Sequence, residues 1–357
     1  MAAKQAGYSV TVIDAFADQQ TIASSNFFIS VPFDEHGFEA AALKQAINRL
    51  DTNDYVGFVY GSGFEAQPEL LQTISEQIPL IGNAAEVLSA VKSTGFFEAL
   101  DSLNIPYPQT FRNWPDKVFR TYLKKSFGGC GGTHISIASP KDQLHDYEYF
   151  QQFIKGQSVS LLFLAYENEV DVIGFNEQWV SVSGDKPFRY GGAVSNVDLP
   201  QAIQQQLLKA AHALTTKFNL KGLNSLDAVV ENNIVYILEI NPRLSATFDL
   251  YDADLFKRHL CANNPALKKT QNSALGKPAE AKAHAIVYAE EDTVFLCSFE
   301  WPEWATDIPS SHTESITIKS GEPICTVLAS AKDAETAKLL VMSRVKILNS
   351  AFDKNDK

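Results

Sequence analysis

The sequence predicts an α/β (α+β) chain with a small parallel sheet in an N-terminal lobe and a larger antiparallel sheet behind it. Three observations carry that expectation. Strand-like and helix-like stretches alternate through the first 80 residues, the pattern that builds parallel sheets. Further on, two Val/Ile/Leu-rich stretches around Leu226–Val230 and Ile234–Ile240 flank a short polar turn and read as an antiparallel hairpin. Apolar residues make up 45% of the 357-residue chain and aromatics 11%, with 23 Phe, which is enough to fill the cores of two or three lobes.

Taken in order, residues 8–14 (Tyr-Ser-Val-Thr-Val-Ile-Asp) read as a first strand, and a helix of mixed polarity lies near 37–50. Tyr55–Tyr60 is the next strand, followed by Gly61-Ser62-Gly63-Phe64-Glu65 and a helix near 68–77. That glycine segment lies on the sheet edge where ligands bind in parallel folds, but a lone Gly-x-Gly is weak and reads as a plain turn. Ser158–Leu164 is apolar enough for a central strand. The stretch 200–219 repeats apolar residues at helical spacing, which marks core packing and makes His212 structural. Residues 263–280 read as a connector, His284–Ala289 as a strand, and 333–350 as a last helix, with turns and strands between.

Composition excludes several classes. A formal charge of −12 and a pI near 5.1 argue against nonspecific nucleic-acid binding. No apolar run approaches the ~20 residues that cross a membrane, and no signal-peptide apolar core follows Met1. Cys130, Cys261, Cys297 and Cys325 are scattered, without the close pairs of zinc or redox sites, so a reducing cytoplasm is expected.

The hairpin carries the chemistry. It holds Asp227, Glu239, Asn241 and Arg243 where a buried sheet tolerates few polar groups. Strand periodicity puts Glu239 and Asn241 on one face. With a three-residue loop, Asp227 lies opposite Glu239, Cβ atoms roughly 5 Å apart. Converging oxygen ligands suit Mg²⁺, with Mn²⁺ as a substitute. Upstream, residues 119–137 hold a short strand ending in Lys124-Lys125, a turn with Gly128, Gly129, Gly131 and Gly132, and a second short strand. Such a turn lets backbone approach phosphate while a lysine adds charge. The lysines precede the glycines and no helix opens there, so it is neither a Walker loop nor a dinucleotide fingerprint.

Lysine strand, glycine turn, strand, and then Asp and Glu-Ile-Asn-Pro-Arg in that order resemble the ATP-grasp superfamily. The resemblance implies an ATP-grasp fold with a glycine-loop lid. It divides the chain into an N-terminal lobe at 1–80 lacking its usual first strand, an entry segment at 81–118 and a lid at 119–155. A central sheet with the metal ligands at 156–262 and a biotin-carboxylase-like tail at 263–357 complete it. It makes ATP and Mg²⁺ the cofactors, with Asp227, Glu239 and Asn241 as metal ligands. Lys125 becomes the phosphate-binding lysine and Gly128, Gly129, Gly131 and Gly132 the flap, while Arg243 steadies an acyl-phosphate or carboxyphosphate. Val91-Lys92 and the following Asn104-Ile105-Pro106-Tyr107-Pro108 resemble the segment in which a helix begins with an ATP-contacting lysine, here Lys92. Tyr149–Gly156 resembles the hinge that receives adenine, so Gln151, Gln152, Phe153 and Ile154 are adenine-side residues; Gln151 stands where many relatives have an acid. Arg189 is a candidate for phosphate, an acidic substrate or a structural salt bridge, and Ser245 and Thr247 are substrate-side candidates.

The nearest resemblance is to poorly characterised ATP-grasp proteins related to biotin carboxylase, some of which accompany methanopterin- and methanofuran-linked one-carbon genes. The activity implied is a carboxylate–amine ligase acting through an acyl-phosphate on small-molecule substrates, with a homodimer as one option. A carboxyphosphate-forming carboxylase and an inactive ATP-binding regulator stay open as alternatives.

Overall fold

Eight strands form one antiparallel sheet that organises the molecule. Their order is Ile234–Asn241, Gly222–Glu231, Gln157–Tyr166, Glu169–Val180, Tyr190–Val194, Ala281–Tyr288, Pro323–Ala331 and Ala305–Thr306. The computed structural model describes residues 1–34, 36–115, 120–184, 186–252, 254–263, 280–296, 298–310 and 315–355. The expected connector, apart from Asn263 and Glu280, lies outside them, as do Phe119 and Cys297.

The apolar run in Gln157–Tyr166 has a simple cause, since the strand is covered on both faces. Helix Gln201–Phe218 lays Ile203, Leu207, Ala211 and Leu214 on Leu161, Phe163 and Leu226. Helix Asp254–Asn263 lays Leu255, Phe256 and Leu260 on Leu162, Leu164 and Leu223. A sheet clad on both sides loses the alternation that a one-sided sheet shows. At the far end, helix Ala334–Asn355 packs Ala337, Val341 and Leu348 on Ala283, Ala285 and Val327. No helix among the described residues is long and apolar enough to cross a membrane.

A second, four-stranded antiparallel sheet draws three of its strands from the segment expected to form a lid. Its order is Thr110–Phe111, Glu148–Gln152, Tyr122–Ser126 and Ser136–Ile137. The N-terminal lobe has the expected parallel strands as two separate pairs, Thr11–Asp14 with Phe27–Ser30 and Phe58–Val59 with Leu80–Ile81, and adds an antiparallel pair, Phe33–Asp34 with Gly37–Phe38. The second parallel pair is only two residues long, and a Cβ on Gly57 beside it would collide with the Ile81 side chain. Leu43, Ile47, Leu71, Ile78 and Leu88 fill this lobe's own core.

Asn83 joins the lobe to the central sheet. Its buried amide nitrogen lies 2.9 Å from the Lys221 carbonyl, 3.0 Å from Asn224 Oδ1 and 2.9 Å from the Pro242 carbonyl. Its oxygen accepts the Lys221 N–H at 2.8 Å. The Tyr60 hydroxyl donates to the carbonyls of Asn83 and Pro242, at 2.8 and 3.2 Å. Truncating Asn83 strands several of these groups in a dry interface. Asn83→Ala should therefore cost about 2–3 kcal/mol of stability. Asn233→Gly, in a hairpin turn whose left-handed backbone (φ 64°) glycine adopts freely, should change stability by less than about 0.5 kcal/mol. Thermal unfolding of the two variants checks the contrast.

Candidate active site

The hairpin turns on Asn232 and Asn233, both at positive φ (51° and 64°), the two-residue turn that matches strand twist. The three-residue loop expected from sequence is not what forms. The facing of Asp227 and Glu239 survives because a bulge restores it: pairing steps from Ala228 with Ile237 to Asp227 with Glu239, leaving Leu238 as the extra residue. Asn241 lies opposite Ser225, one step further along the same face.

Around that pair the polar contacts are dense. Asn241 Nδ2 donates to Asp227 Oδ2 at 3.0 Å and to Glu239 Oε1 at 3.3 Å. Gln178 and Ser225 both donate to Asp227 Oδ1, at 3.3 and 3.2 Å. The Lys92 ammonium donates to Glu239 Oε2 at 2.8 Å and to Asn241 Oδ1 at 2.9 Å. Burial, and after it the neighbouring Glu239, pushes the Asp227 carboxyl up to about 7. For Glu239 burial acts in the same direction, but Lys92 and then Lys125 outweigh it and hold the carboxyl far below its ordinary range. Glu239 is also the wetter of the two ends of its ion pair, with a side chain 38% exposed against 5% for Lys92.

Lys92 caps the end of helix Ala85–Val91, and the next helix starts at Thr94, so the lysine closes a helix rather than opening one. Lys125 is buried on the lid strand Tyr122–Ser126, 3.2 Å from Gln151 Oε1 and 5.9 Å from the centre of the Tyr149 ring. Burial pulls its pKa down, against the attraction of Glu239. Gln151 is thus an internal brace of the lid, tied also to Thr110 Oγ1 at 3.4 Å. Gln152 and Ile154 are buried and Phe153 is partly exposed against Phe188. The N–H groups of Gln152 and Phe153 are engaged by the carbonyls of Gln109 and Thr121.

The glycine turn packs against Glu65–Ala66 and Phe188. Gly128 is packed so tightly that a Cβ there would sit 2.6 Å from the Glu65 carbonyl oxygen, and one on Gly132 would collide with the Phe188 carbonyl. Gly131 is held through its carbonyl, which accepts the Tyr190 N–H at 2.8 Å. Gly129 lies against the His134 ring. Cys130 lies within this turn, where burial, then Glu65, pushes its thiol up to about 11 and leaves it protonated.

Arg243 joins the same cluster from the end of the hairpin. Its Nε donates to Glu65 Oε1 at 2.6 Å, Nη1 to the Leu244 carbonyl at 3.0 Å and Nη2 to Asn241 Oδ1 at 3.4 Å. Glu65, read from sequence as part of a plain turn, is a buried acid whose other oxygen takes the N–H groups of Gly63 and Phe64. No local signal distinguishes it, because its partner lies 178 residues away. Arg189 faces elsewhere: its guanidinium stacks 3.6 Å from the centre of the Tyr288 ring and donates to Ser181 and Gly321. Ser245 and Thr247 share a hydrogen bond at 3.0 Å.

Residues 92–247 match the family model of the ATP-grasp domain. An uncharacterised protein of Methanocaldococcus jannaschii is 22% identical over 351 residues, covering 91% of this chain and 84% of its own. Among solved structures, a biotin carboxylase–β,γ-ATP complex from Campylobacter jejuni superposes with a TM-score of 0.71 at 11% identity, covering 94% of this chain and 85% of that one. An L-amino acid ligase from Bacillus licheniformis gives 0.63 at 14% identity, with 96% and 92% covered. A Rhizobium etli pyruvate carboxylase gives 0.68 at 14% identity over 96% of this chain, which spans only 34% of that longer protein. Residues 92–247 thus match an ATP-grasp domain, and the chain shares the fold of these solved structures.

Among the described residues no three His, Cys, Asp or Glu side chains group as a metal site. The hairpin's donors are two carboxylates and one amide, and they still fit a hard divalent cation. Asp227 is destabilised as an anion by burial and by Glu239, and added positive charge relieves both. A carboxyl whose pKa rises on folding contributes stability fully present below the unfolded value of 3.8, and loses it as pH climbs through about 7. Asp227→Asn, which cannot ionise, should therefore unfold at a higher temperature than the native chain at pH 8 in chelator. The difference should shrink toward pH 4; thermal unfolding across that range measures it.

Proposed function

We propose that the protein is an ATP-dependent carboxylate–amine ligase that forms an amide through an acyl-phosphate. The observation that carries this reading is the convergence of Lys92 and Arg243 on Glu239 and Asn241, with Asp227 bonded to Asn241, and Lys125 near enough for its charge to act on both carboxylates. In it, Lys92, Lys125 and the turn's N–H groups hold the ATP phosphates. Asp227, Glu239 and Asn241 hold Mg²⁺, which when bound neutralises triphosphate charge. A substrate carboxylate attacks the γ-phosphate in line, and Arg243 stabilises the charge that develops on the transferring group. An amine then displaces phosphate from the acyl-phosphate. The turn, packed between Glu65–Ala66 and Phe188, excludes the water that would hydrolyse that intermediate. The likeness to an L-amino acid ligase supports an amide product.

The test is ADP release from MgATP in the presence of pooled carboxylates and amines, with glutamate and with pterin and furan precursors that probe a one-carbon-cofactor setting. Stimulation should require both an acid and an amine; stimulation by bicarbonate alone would favour the carboxyphosphate route that the likeness to biotin carboxylase suggests. Glu239→Gln should lower kcat by about a hundredfold or more while leaving the fold intact. Turnover retained in that variant removes Glu239 from the metal set.

A further inference from the structure

The C-terminal lobe carries a surface that the cleft does not use. Strand Thr293–Leu296 pairs with Ser315–Ile318 and, among the described residues, with no other strand, so its second edge is open. Thr293 and Phe295 point into the lobe and are buried, while Val294 and Leu296 point out. Side chains of both faces line a groove of about 850 Å³ between this strand and helix Ala334–Asn355, so the groove follows the strand's open edge. Its floor is a cluster of packed rings: Phe295 lies 4.9 Å from Phe352 and 5.8 Å from Phe299, centre to centre.

Open edges are normally blunted by a lysine, a proline or a bulge, because they pair with strands that reach them. Thr-Val-Phe-Leu has none of these and pairs without a register shift. Apolar side chains extend the patch beyond the strand. Ile347 lies on the groove's helical wall, and Leu339 shares a helix face with the wall residues Ser343, Lys346 and Ser350. Val294, Leu296, Leu339 and Ile347 lie between 50% and 66% exposed. The chain's formal charge of −12 makes its copies repel. Among the groove's lining residues the charges are one acid and one base, Glu300 and Lys346, so a neutral patch coincides with the open apolar edge. An open edge offers a row of backbone N–H and C=O groups, which an added strand satisfies and a small apolar molecule does not.

We propose that this surface joins two copies of the chain by antiparallel pairing of Thr293–Leu296 with itself. A two-fold axis at Phe295 sets Val294 against the copy's Leu296 and repeats that contact in the other direction. A patch holding one acid and one base is self-complementary under the same symmetry. The surface shares no residue with the cleft, so the dimer is independent of the ligase reading.

Sedimentation of the full chain from about 1 to about 100 µM tests it. The native chain should move from 39.3 kDa toward twice that mass. Val294→Lys and Leu296→Lys put a charge on the outward face of the edge, away from the core, and should weaken the dimer at least about tenfold. Val56→Lys, at an exposed apolar position of the N-terminal lobe, should leave the mass profile unchanged. Thermal unfolding confirms that each variant is folded. A single 39.3 kDa species at every concentration overturns the proposal and leaves the groove to a different partner. A dimer that persists in both edge variants overturns it in favour of another face, and one lost equally in Val56→Lys overturns it in favour of a general charge effect. If the edge variants do not fold, backbone amide exchange in the native chain decides. The amides of residues 293–296 must slow as concentration rises, and equal exchange at both ends of the range overturns the pairing.

Discussion

Two carboxylates facing each other across one hairpin are the constraint around which this molecule is arranged. Asp227 and Glu239 stand opposite each other in a hairpin whose neighbouring strand is covered by helices on both faces. Two facing anions repel, and burial adds to the cost of ionising Asp227. The fold answers with an ammonium from Lys92 against Glu239, amide donors from Asn241 and Gln178, and an Asp227 that keeps its proton to near neutral pH. In the proposed function, a divalent cation carrying a nucleotide corrects the same imbalance.

The second tier of contacts keeps the lobes in register with that pair. Glu65 reaches from the N-terminal lobe to Arg243, and its own backbone carbonyl abuts Gly128 of the lid. One short turn therefore touches the end of the hairpin and the glycine flap together. Asn83 and Tyr60 fasten the same lobe to the carbonyl of Pro242, the residue between Asn241 and Arg243. A shift of the N-terminal lobe would thus be felt at both.

How much of this the sequence displays follows from the range of each interaction. The hairpin was legible because strand periodicity is local and puts Glu239 and Asn241 on one face. The facing of Asp227 with Glu239 was expected from a three-residue loop and is met through a bulge instead. The turn was misjudged: two asparagines in left-handed backbone replace a longer loop, and a bulge at Leu238 makes up the difference. A bulge leaves no compositional mark in an Ile-Leu-Glu run. The glycine turn was legible because four glycines in five positions are rare outside places where backbone must pass close to something. Glu65, Asn83 and Gln178 were not legible by their contacts, since each draws its partners from far away in the chain. Arg189 was misleading for the same reason, its guanidinium being taken by the aromatic face of Tyr288 in the C-terminal lobe.

The account stands on the carboxylate pair serving a metal-bound nucleotide, and the dependence of ATP affinity on Mg²⁺ tests that most directly. Equilibrium dialysis of labelled ATP against the full chain, with Mg²⁺ titrated from chelator to saturation, should show affinity rising steeply with the cation. ATP binding of equal strength in chelator and in Mg²⁺ would contradict it.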